Sequence, residues 1–271
     1  MKFEHTRVMN FEGALRGMRN PLASWHRSDS YFEPYCEMDV EYFHDIPVME
    51  IGQAYCSNMV DGDENAYEEA IQKQQDYLYD QSTRYTQWGE HTYEQNIIGP
   101  NDMDLAKRLI AGGPEHRKFL RQIFVSVDIT APLYWWKEFD TYKVGTTANS
   151  TSTMHKLAST PISLECFETD DFDPMAVIAA QMEDIPNNIL YDFIEYLEGL
   201  RQKYNETKDK RYWKELVRWL PNGWLQTRTV TMNYENLRTM YHQRQYHKLT
   251  EWHQFCEWVK SLPYAKEFIT D

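Results

Sequence analysis

The stretch TRTVTMNYENLRTMYHQRQYHKLTEWHQFCEWVKSL, residues 227–262, changes its hydrophobic period near its start. Residues 227–232 are rich in β-branched side chains and predict a strand that leads directly into a helix. Wound as one α-helix, residues 236–262 carry an apolar stripe with Trp252 at its margin, and Arg244 and Lys248 fall inside that stripe. The apolar members of the stripe are Leu237, Tyr241, Phe255, Val259 and Leu262. We therefore expect a long C-terminal helix that turns two cations toward the core.

Buried cations require partners, because an unpaired charge inside a protein is strongly destabilising. One candidate partner is a carboxylate, since the chain contains 42 Asp and Glu residues. Another is a bound anion such as a phosphate, which suits the guanidinium fork of Arg244. A third explanation needs no partner, because the aliphatic stems can let the charged ends reach solvent. The helix alone leaves these three explanations open.

The composition is that of a folded, acidic protein. Hydrophobic residues make up 42% of the 271 residues and aromatic residues 15%, which is enough for a substantial core. The net charge of −14 argues against binding to nucleic acid but allows a small anionic ligand in a locally basic pocket. The chain has no apolar run of about 18 residues or more, and its N-terminus lacks the apolar core of a secretory signal. We expect a cytoplasmic protein that binds neither nucleic acid nor a membrane.

Several common metal-binding and catalytic motifs are absent from the sequence. The four cysteines form no C-x-x-C pair, and His242 and His247 lie about 140° apart around a helix, so we expect no metal site. The chain contains no G-x-x-x-x-G-K-[ST], no G-x-G-x-x-G and no G-x-S-x-G. It therefore predicts no Walker nucleotide site, no dinucleotide-binding crossover and no hydrolase nucleophile.

Elsewhere the sequence predicts more helix than strand. The N-terminal 18 residues have the pattern of an amphipathic helix, residues 8–27 look helical with a break at Pro21, and a further helix ends at Gly112-Gly113. Residues 124–129 alternate as a strand does, and the first half of residues 131–159 is helix-like. Helices are also expected over residues 62–89, 174–204 and 207–220. No repeat or linker divides the chain, so we expect one mixed α+β domain over residues 1–271.

The second half of residues 131–159 contains GTTANSTSTMHK, residues 145–156, which is rich in small hydroxyl side chains. Hydroxyls and backbone amides of this kind can surround a phosphate or a pyrimidine ring without adding charge. The same composition is more often that of a flexible surface loop. We expect a loop here, and its sequence makes it a candidate ligand-binding loop.

Together these segments resemble the flavin-dependent thymidylate synthases, in the same order along the chain. The N-terminal helix leads to Ser24-Trp25-His26-Arg27, where the family has an arginine-bearing turn. Pro114-Glu115-His116 with Phe119 is similar to the family segment P-x-E-H-x-x-F, whose histidine touches the flavin. Ala131-Pro132-Leu133-Tyr134 is similar to the start of the helix that leads to the motif R-H-R.

The resemblance continues through two later segments. Residues 149–154, Asn-Ser-Thr-Ser-Thr-Met, correspond to the family loop N-E-x-S-x-R. Thr231-Met232-Asn233, Leu237 and Arg244 match the spacing T-V-N…L…R, in which the asparagine lies by the flavin and the arginine by the nucleotide.

The sequence also departs from the family pattern. Thr141-Tyr142-Lys143 stand where the family has R-H-R, and Glu138 stands where it has a flavin-side glutamine. Ser150 replaces the motif glutamate, and Met154 replaces the final motif arginine. Lys143 keeps one cation, and Lys137 and Lys156 are others nearby in the sequence, but lysine does not reproduce a bidentate arginine fork.

The resemblance implies an α+β fold of mixed helix and antiparallel sheet, assembled as a homotetramer. It implies FAD as the cofactor, with NADPH and methylenetetrahydrofolate as co-substrates, and one-carbon transfer to carbon 5 of dUMP or a related pyrimidine deoxynucleotide monophosphate. No protein nucleophile is required. The implied cofactor-binding residues are His116, Glu138, Thr141, Tyr142, Lys143 and Asn233. The implied nucleotide-binding residues are Asn149, Ser150, Ser152 and Arg244, with Arg244 as the catalytic residue.

Three functions remain open at the level of sequence. They are dTMP synthesis, alkylation or hydroxymethylation of a different pyrimidine nucleotide, and a catalytically inactive protein of this fold that binds a nucleotide or a protein partner. The replaced motif arginines favour the second and third. The retained His116, Asn233 and Arg244 argue against complete loss of catalysis.

Overall fold

The computed structural model describes residues 1–36, 87–88, 93–152, 156–170 and 189–271. Residues 62–86 and 89 of the helix predicted over 62–89, residues 174–188 of another and Met154 lie outside the described residues. The helix prediction is wrong at Gln87–Trp88, which form a strand. The chain divides into two compact units that interleave in sequence. Unit 1 comprises Met1–His5 and Val127–Val230, and unit 2 comprises Thr6–Ser126 and Thr231–Asp271. The expectation of a single domain stays a prediction.

The described residues combine α-helices with two sheets. The strands are β1 (Lys2–Met9), β2 (Tyr31–Cys36), β3 (Gln87–Trp88), β4 (Tyr93–Ile97), β5 (Phe124–Pro132), β6 (Thr147–Ser150) and β7 (Leu225–Asn233). The α-helices are α1 (Phe11–Arg19), α2 (Pro100–Ala111), α3 (Leu133–Phe139), α4 (Ile189–Thr207), α5 (Lys210–Arg218), α6 (Tyr234–Arg244) and α7 (Thr250–Lys260). This mixture of helix and antiparallel sheet confirms the predicted α+β class.

The larger sheet has the strand order β1-β5-β7-β6. Strand β5 buries every second residue, Val125, Val127, Ile129 and Ala131, as its alternating sequence predicts. The predicted helix over the first residues of the chain is wrong, because Lys2–Met9 form an edge strand of this sheet. Sheet pairing satisfies the backbone hydrogen bonds of β1, and this tertiary context overrides a local helical pattern. The helical period is correct from Phe11 onward.

Unit 2 contains the smaller sheet, in which β4 pairs with both β2 and β3 in antiparallel orientation. Tyr31 lies opposite Ile97 in this sheet.

Helix α1 buries one stripe at helical spacing, made of Phe11, Ala14, Leu15, Met18 and Arg19. Helix α2 ends where the sequence predicts, and Gly113 follows it with a φ of 96°, a conformation that favours glycine.

Aromatic rings form the centre of unit 2. The Phe11 ring lies 5.7 Å from the rings of both Tyr234 and Tyr264, in edge-to-face arrangements that favour aromatic packing. The Tyr264 hydroxyl donates to the carbonyl of Asn96 at 2.8 Å and accepts from the amide of Ile98 at 3.0 Å. A buried hydroxyl with both hydrogen bonds made fastens the C-terminal segment to the end of β4.

The prediction of one long C-terminal helix over residues 236–262 is wrong in one respect. The chain forms two helices, α6 and α7, separated by residues 245–249. The apolar stripe is buried as predicted, but Lys248 is exposed in the break beside Tyr246, whose side chain is 89% exposed. Because α6 ends at Arg244, Lys248 stays in contact with solvent. Burying its charge would destabilise the protein by more than the loss of the few helical hydrogen bonds in the break.

In unit 1, α4 and α5 pack over a separate apolar cluster. Its buried members are Leu157, Ile162, Phe167, Ile194, Leu197 and Leu216. Glu198 joins α4 to the preceding segment, because its carboxylate accepts the amide of Ile162 at 2.8 Å and two hydrogen bonds from Arg201 at 2.7 and 2.5 Å. Hydrogen bonds from Arg201 are the main cause that lowers the pKa of Glu198 to about 2.

We expect the stability of unit 1 to fall in acid through Glu198. Because the pKa of this carboxyl is about 2 in the folded chain and 4.5 ordinarily, its contribution is complete above pH 4.5 and is lost as pH falls toward 2. In urea unfolding between pH 7 and 3, Glu198→Gln should reduce the stability at pH 7 and flatten the pH dependence. Glu206→Gln, which alters an exposed pair with Lys203, is the matched control. Equal slopes for wild type and Glu198→Gln would contradict this expectation.

Candidate functional site

Thr141-Tyr142-Lys143, which the resemblance aligns with R-H-R, lie at the C-terminal end of α3, in unit 1. The backbone amide and the hydroxyl of Thr141 both donate to the carbonyl of Glu138, at 3.1 and 2.7 Å, and the amide of Tyr142 donates to Phe139 at 3.0 Å. These bonds close the last turn of the helix. Thr141 and Lys143 are exposed, whereas Glu138 and Tyr142 are half-buried. The turn therefore places the Lys143 ammonium and the Tyr142 phenol on neighbouring residues at the end of α3.

The predicted ligand-binding loop is partly a strand. Thr147–Ser150 form β6, with Asn149 and Ser150 exposed and Ser152 half-buried. The segment is held against β7, because the amide of Thr151 donates to the carbonyl of Thr227 at 2.9 Å and Gln226 Nε2 donates to the carbonyl of Thr151 at 3.0 Å. Pairing with β7 explains why a sequence typical of a flexible loop is extended here.

Arg228 on β7 is a residue of unit 1 that the sequence reasoning missed. Its guanidinium carbon lies 4.2 Å from the ring centroid of Trp136, and Nη1 donates to Asp140 at 2.7 Å. Nε donates to Gln226 Oε1 at 3.0 Å. The contact with Asp140 places a permanently charged guanidinium beside the turn of Thr141, where motif arginines are replaced. A lone arginine within a β-branched strand was the available signal.

Asn233 stands in unit 2, at the point where β7 becomes α6. Its side-chain oxygen accepts the amide of Asn236 at 3.0 Å, and the side chain of Asn236 accepts the amide of Asn233 at 3.2 Å. This reciprocal pair is a capping box, which stabilises the start of α6. Asn233 is only 9% exposed, but its Nδ2, which makes no hydrogen bond with the described residues, is reached by solvent and is not a buried unsatisfied atom. A solvent-accessible amide donor on a side chain held in place by a capping box is a candidate ligand contact.

The segment that contains His116 meets the same junction. Arg117 makes a bidentate ion pair with Glu235, with nitrogen–oxygen distances of 2.9 and 3.0 Å. The amide of Tyr234 donates to the carbonyl of Ile123 at 3.0 Å. His116 itself is exposed in the turn after α2. The two segments that the resemblance assigns to the flavin, 114–119 and 231–233, therefore lie together in unit 2.

Arg244 has a different environment from the one that the apolar stripe predicts. It is half-buried at the last turn of α6, and its guanidinium carbon lies 4.7 Å from the ring centroid of the fully buried Trp252. Stacking of a cation on an indole ring is favourable and partly explains why this arginine lies near the core. Arg244 and Asn233 stand at opposite ends of α6, which separates them by about 16 Å along the helix axis.

Two further basic side chains on α6, Arg238 and His242, face the C-terminal segment. Arg238 Nη1 donates to the carbonyl of Ile269 at 3.0 Å. Burial lowers the pKa of Arg238, and the neighbouring Arg117 lowers it further. Burial is also the main cause that lowers the pKa of His242, followed by the charge of Arg238. The charge of Arg238 stabilises the carbonyl end of the last turn, Lys266–Thr270, whereas the lowered pKa of His242 favours its neutral form, so both side chains have a structural role.

Taken separately, the residues of each unit offer donor groups that suit part of a flavin nucleotide. A flavin ring has acceptors along one edge that an amide donor such as that of Asn233 can satisfy, and its phosphates suit an exposed cation such as Lys143.

Cys256, by contrast, is no nucleophile, because burial raises the pKa of its thiol to about 11. The described residues contain no cluster of three or more His, Cys, Asp or Glu placed to hold a metal ion. In the described parts of the chain, no helix has the length and apolar character to cross a membrane.

The chain resembles known structures only distantly. A flavin-dependent thymidylate synthase from Helicobacter pylori, solved with FAD and dUMP, aligns at 13% identity and a TM-score of 0.45, over 88% of this chain and 97% of that one. A second structure of the Helicobacter pylori enzyme with FAD and dUMP aligns at 14% identity and a TM-score of 0.47, over 89% and 96%. No protein-family model and no curated protein matches the sequence.

Proposed function

We propose that the chain is a flavin-dependent enzyme that transfers a one-carbon unit to carbon 5 of a pyrimidine deoxynucleotide monophosphate such as dUMP. FAD is the proposed cofactor, methylenetetrahydrofolate the proposed carbon donor and NADPH the proposed reductant. The observation that carries the proposal is the junction of β7 and α6. There, two sequence segments with flavin-side counterparts in the family meet, and Asn233 offers an amide donor that solvent reaches and that makes no hydrogen bond with the described residues.

The roles proposed for the residues follow from their chemistry. FAD, when bound, supplies the redox chemistry of the transfer. In unit 2, Asn233 and His116 are assigned to the ring of an FAD. In unit 1, Thr141, Tyr142 and Lys143, with Glu138 at the same helix end, are assigned to the phosphate or ribose groups of an FAD, and the two sets need not come from the same subunit. Asn149, Ser150 and Ser152 offer neutral donors to the nucleotide. Arg228 adds the fixed guanidinium that the turn at residues 141–143 lacks.

A homotetramer with shared sites is part of the proposal. Asn233 and Arg244 stand about 16 Å apart along one helix, so one copy of α6 does not bring both onto the same ring. If Arg244 binds the nucleotide beside the flavin of a neighbouring subunit, both assignments hold. Exposed aromatic side chains such as Tyr246, Trp219 and Tyr191 are of the type enriched in subunit interfaces.

A second candidate function is a catalytically inactive protein that keeps this fold and binds a nucleotide or a protein partner. The observation that favours it is that Asn233 and Arg244 both have structural roles, as a helix cap and as a partner of the Trp252 ring. Retention of these residues therefore does not by itself require catalysis. The replaced motif arginines point in the same direction.

The absorbance spectrum of the purified protein separates the two candidates. We expect flavin bands after purification or after reconstitution with FAD, and a shift of these bands when dUMP or dCMP is added. The nucleotide that causes the shift identifies the substrate base. A protein that takes up no FAD under any condition would exclude the enzyme and favour the inactive binding protein.

Arg244→Ala tests the nucleotide assignment. We expect it to weaken dUMP binding by roughly tenfold or more, because a charged hydrogen-bond partner is lost, and to lower stability modestly through the lost stack on Trp252. Lys248→Ala is the matched control, since this nearby cation is exposed and should change neither quantity. Calorimetric titration with dUMP and thermal unfolding measure the two effects separately. Reduced stability with unchanged dUMP affinity would assign Arg244 a structural role only.

A further inference from the structure

Asn222-Gly223 is the only Asn-Gly step in the sequence, and it lies in a tight turn of unit 1. The amide of Trp224 donates to the carbonyl of Pro221 at 3.1 Å, which closes a β-turn with Asn222 and Gly223 at its centre. Asn222 is exposed, so water reaches its side chain. The turn therefore places a solvated carboxamide next to a backbone amide that has no Cβ beside it to hinder an approach.

The carbonyls of this turn hold the first residues of α3. The amide of Leu133 donates to the carbonyl of Trp224, and the amide of Tyr134 donates to the carbonyl of Asn222, both at 3.0 Å. A helix leaves its first amides without partners of their own, so these two bonds complete the start of α3. A change in the length of the main chain at Asn222 would therefore act on this helix.

Gly223 is held through its carbonyl and not through its nitrogen. The carbonyl accepts the amide of Glu168 at 2.8 Å, whereas the Gly223 amide makes no hydrogen bond with the described residues. The φ of Gly223 lies outside the left-handed region, and a Cβ added there would meet nothing within 4 Å. The nitrogen is thus available for chemistry, and the position can accept alanine without strain.

Lys137 of α3 contacts the side chain of Asn222. Its Nζ donates to Asn222 Oδ1 at 2.6 Å. Because an ammonium group has donors only, this contact turns the amide oxygen toward Lys137 and leaves Nδ2 on the other side. A cation on the carbonyl oxygen makes Cγ more electrophilic and stabilises the negative charge that develops on the oxygen during nucleophilic attack. Lys137 therefore activates the Asn222 carboxamide.

We propose that Asn222 is a self-modification site, at which the asparagine converts to aspartate and isoaspartate with assistance from Lys137. The Gly223 nitrogen forms a bond to Asn222 Cγ, the bond between Cγ and Nδ2 breaks, and Nδ2 leaves as ammonia with the proton of the Gly223 amide. Water then opens the cyclic imide. Opening at the side-chain carbonyl gives aspartate, and opening at the main-chain carbonyl gives isoaspartate, which adds a methylene to the backbone. Water is the only co-reactant, and the proposal does not depend on flavin binding.

Incubation of the full chain at mildly alkaline pH, followed by peptide mass spectrometry, tests the proposal. We expect the peptide that contains Asn222 to gain the mass difference between an amide and an acid, and an isoaspartate methyltransferase to label it. Asn101 is the internal control, since it is exposed but the next amide, that of Asp102, donates to Asp29 Oδ1 at 3.1 Å. The proposal is overturned if Asn222 keeps its amide or converts no faster than Asn101.

Variants assign the reaction to the two groups named. Gly223→Ala should slow the conversion roughly tenfold or more, because a Cβ hinders the attacking nitrogen. Lys137→Met should slow it roughly threefold or more by removing the activating cation, and Lys137→Arg should restore the rate. Lys210→Met removes an exposed lysine at the start of α5 and should leave the rate unchanged. Equal rates for wild type and Lys137→Met would overturn the assistance by Lys137.

Thermal unfolding of the incubated protein measures the effect on α3. We expect the melting temperature to fall as isoaspartate accumulates, because the added methylene displaces the carbonyl that accepts the Tyr134 amide. Asn222→Ser has no side-chain carbonyl to be attacked, so it should keep its melting temperature through the same incubation. An equal fall in both proteins would show that the loss does not come from this turn and would overturn its link to α3.

Discussion

Arg19→Met should lower the free energy of unfolding by roughly 3–5 kcal/mol, the usual cost of breaking a buried ion pair. Arg19 Nε donates to the carboxylate of Asp102 at 2.5 Å. The substitution keeps most of the aliphatic stem of Arg19 but removes its charge. Asp102, which is fully buried, would then keep only the hydroxyls of Ser28 and Ser30 as side-chain partners. Urea or thermal unfolding of the full chain measures the loss.

Two further variants separate the ion pair from general effects of charge. Arg16→Met removes an exposed cation from the same helix and should change stability by less than about 0.5 kcal/mol. Adding Asp102→Asn to Arg19→Met should restore a large part of the lost stability, because a neutral amide needs no counterion and still bonds the serines. A loss for Arg19→Met no larger than that for Arg16→Met would show that the pair contributes little.

The elements that the sequence predicted well are those whose periodicity is local. Strand β5 alternates because one set of its side chains is buried, and β7 runs into α6 where the period changes from two to near four. The Gly112-Gly113 stop of α2 is also a local signal, because Gly113 supplies the positive φ that ends the helix. None of these features requires knowledge of distant contacts.

The break between α6 and α7 was missed although the sequence held a signal for it. Between Tyr241 and Trp252, the predicted stripe contained only Arg244 and Lys248 and no apolar residue. A stripe occupied by cations alone indicates an interruption of the helix rather than two buried charges. In the structure neither charge is buried without a partner, because Lys248 is exposed and Arg244 stacks on Trp252.

The contacts of the candidate site could not be read from periodicity, because they join distant parts of the chain. Arg228 stacks on Trp136 and pairs with Asp140, and Arg117 pairs with Glu235. A strand pattern predicts which face Arg228 occupies but not which helix end it meets. The resemblance pointed to Asn233 as a ligand contact, yet its role as a helix cap became visible only in the structure.

The two roles of Asn233 can be separated by substitution. Asn233→Asp and Asn233→Ser both keep a side-chain oxygen that can accept the amide of Asn236, so α6 should remain capped and stability should change by less than about 1 kcal/mol. Neither replacement has the amide donor. If the unused Nδ2 contacts the flavin, both should weaken FAD binding by roughly tenfold or more, measured by the absorbance of bound flavin during titration.

Asn233→Ala completes the comparison, because it removes the cap and the donor together. It should lose about 1–2 kcal/mol of stability and also bind FAD as weakly as the Asp and Ser variants. A structural role alone predicts a different pattern, in which only Asn233→Ala loses stability and the Asp and Ser variants bind FAD as wild type does. That pattern would remove the Asn233 amide from the proposed flavin site, and it would leave the helix cap as the sufficient reason for an asparagine at the junction of β7 and α6.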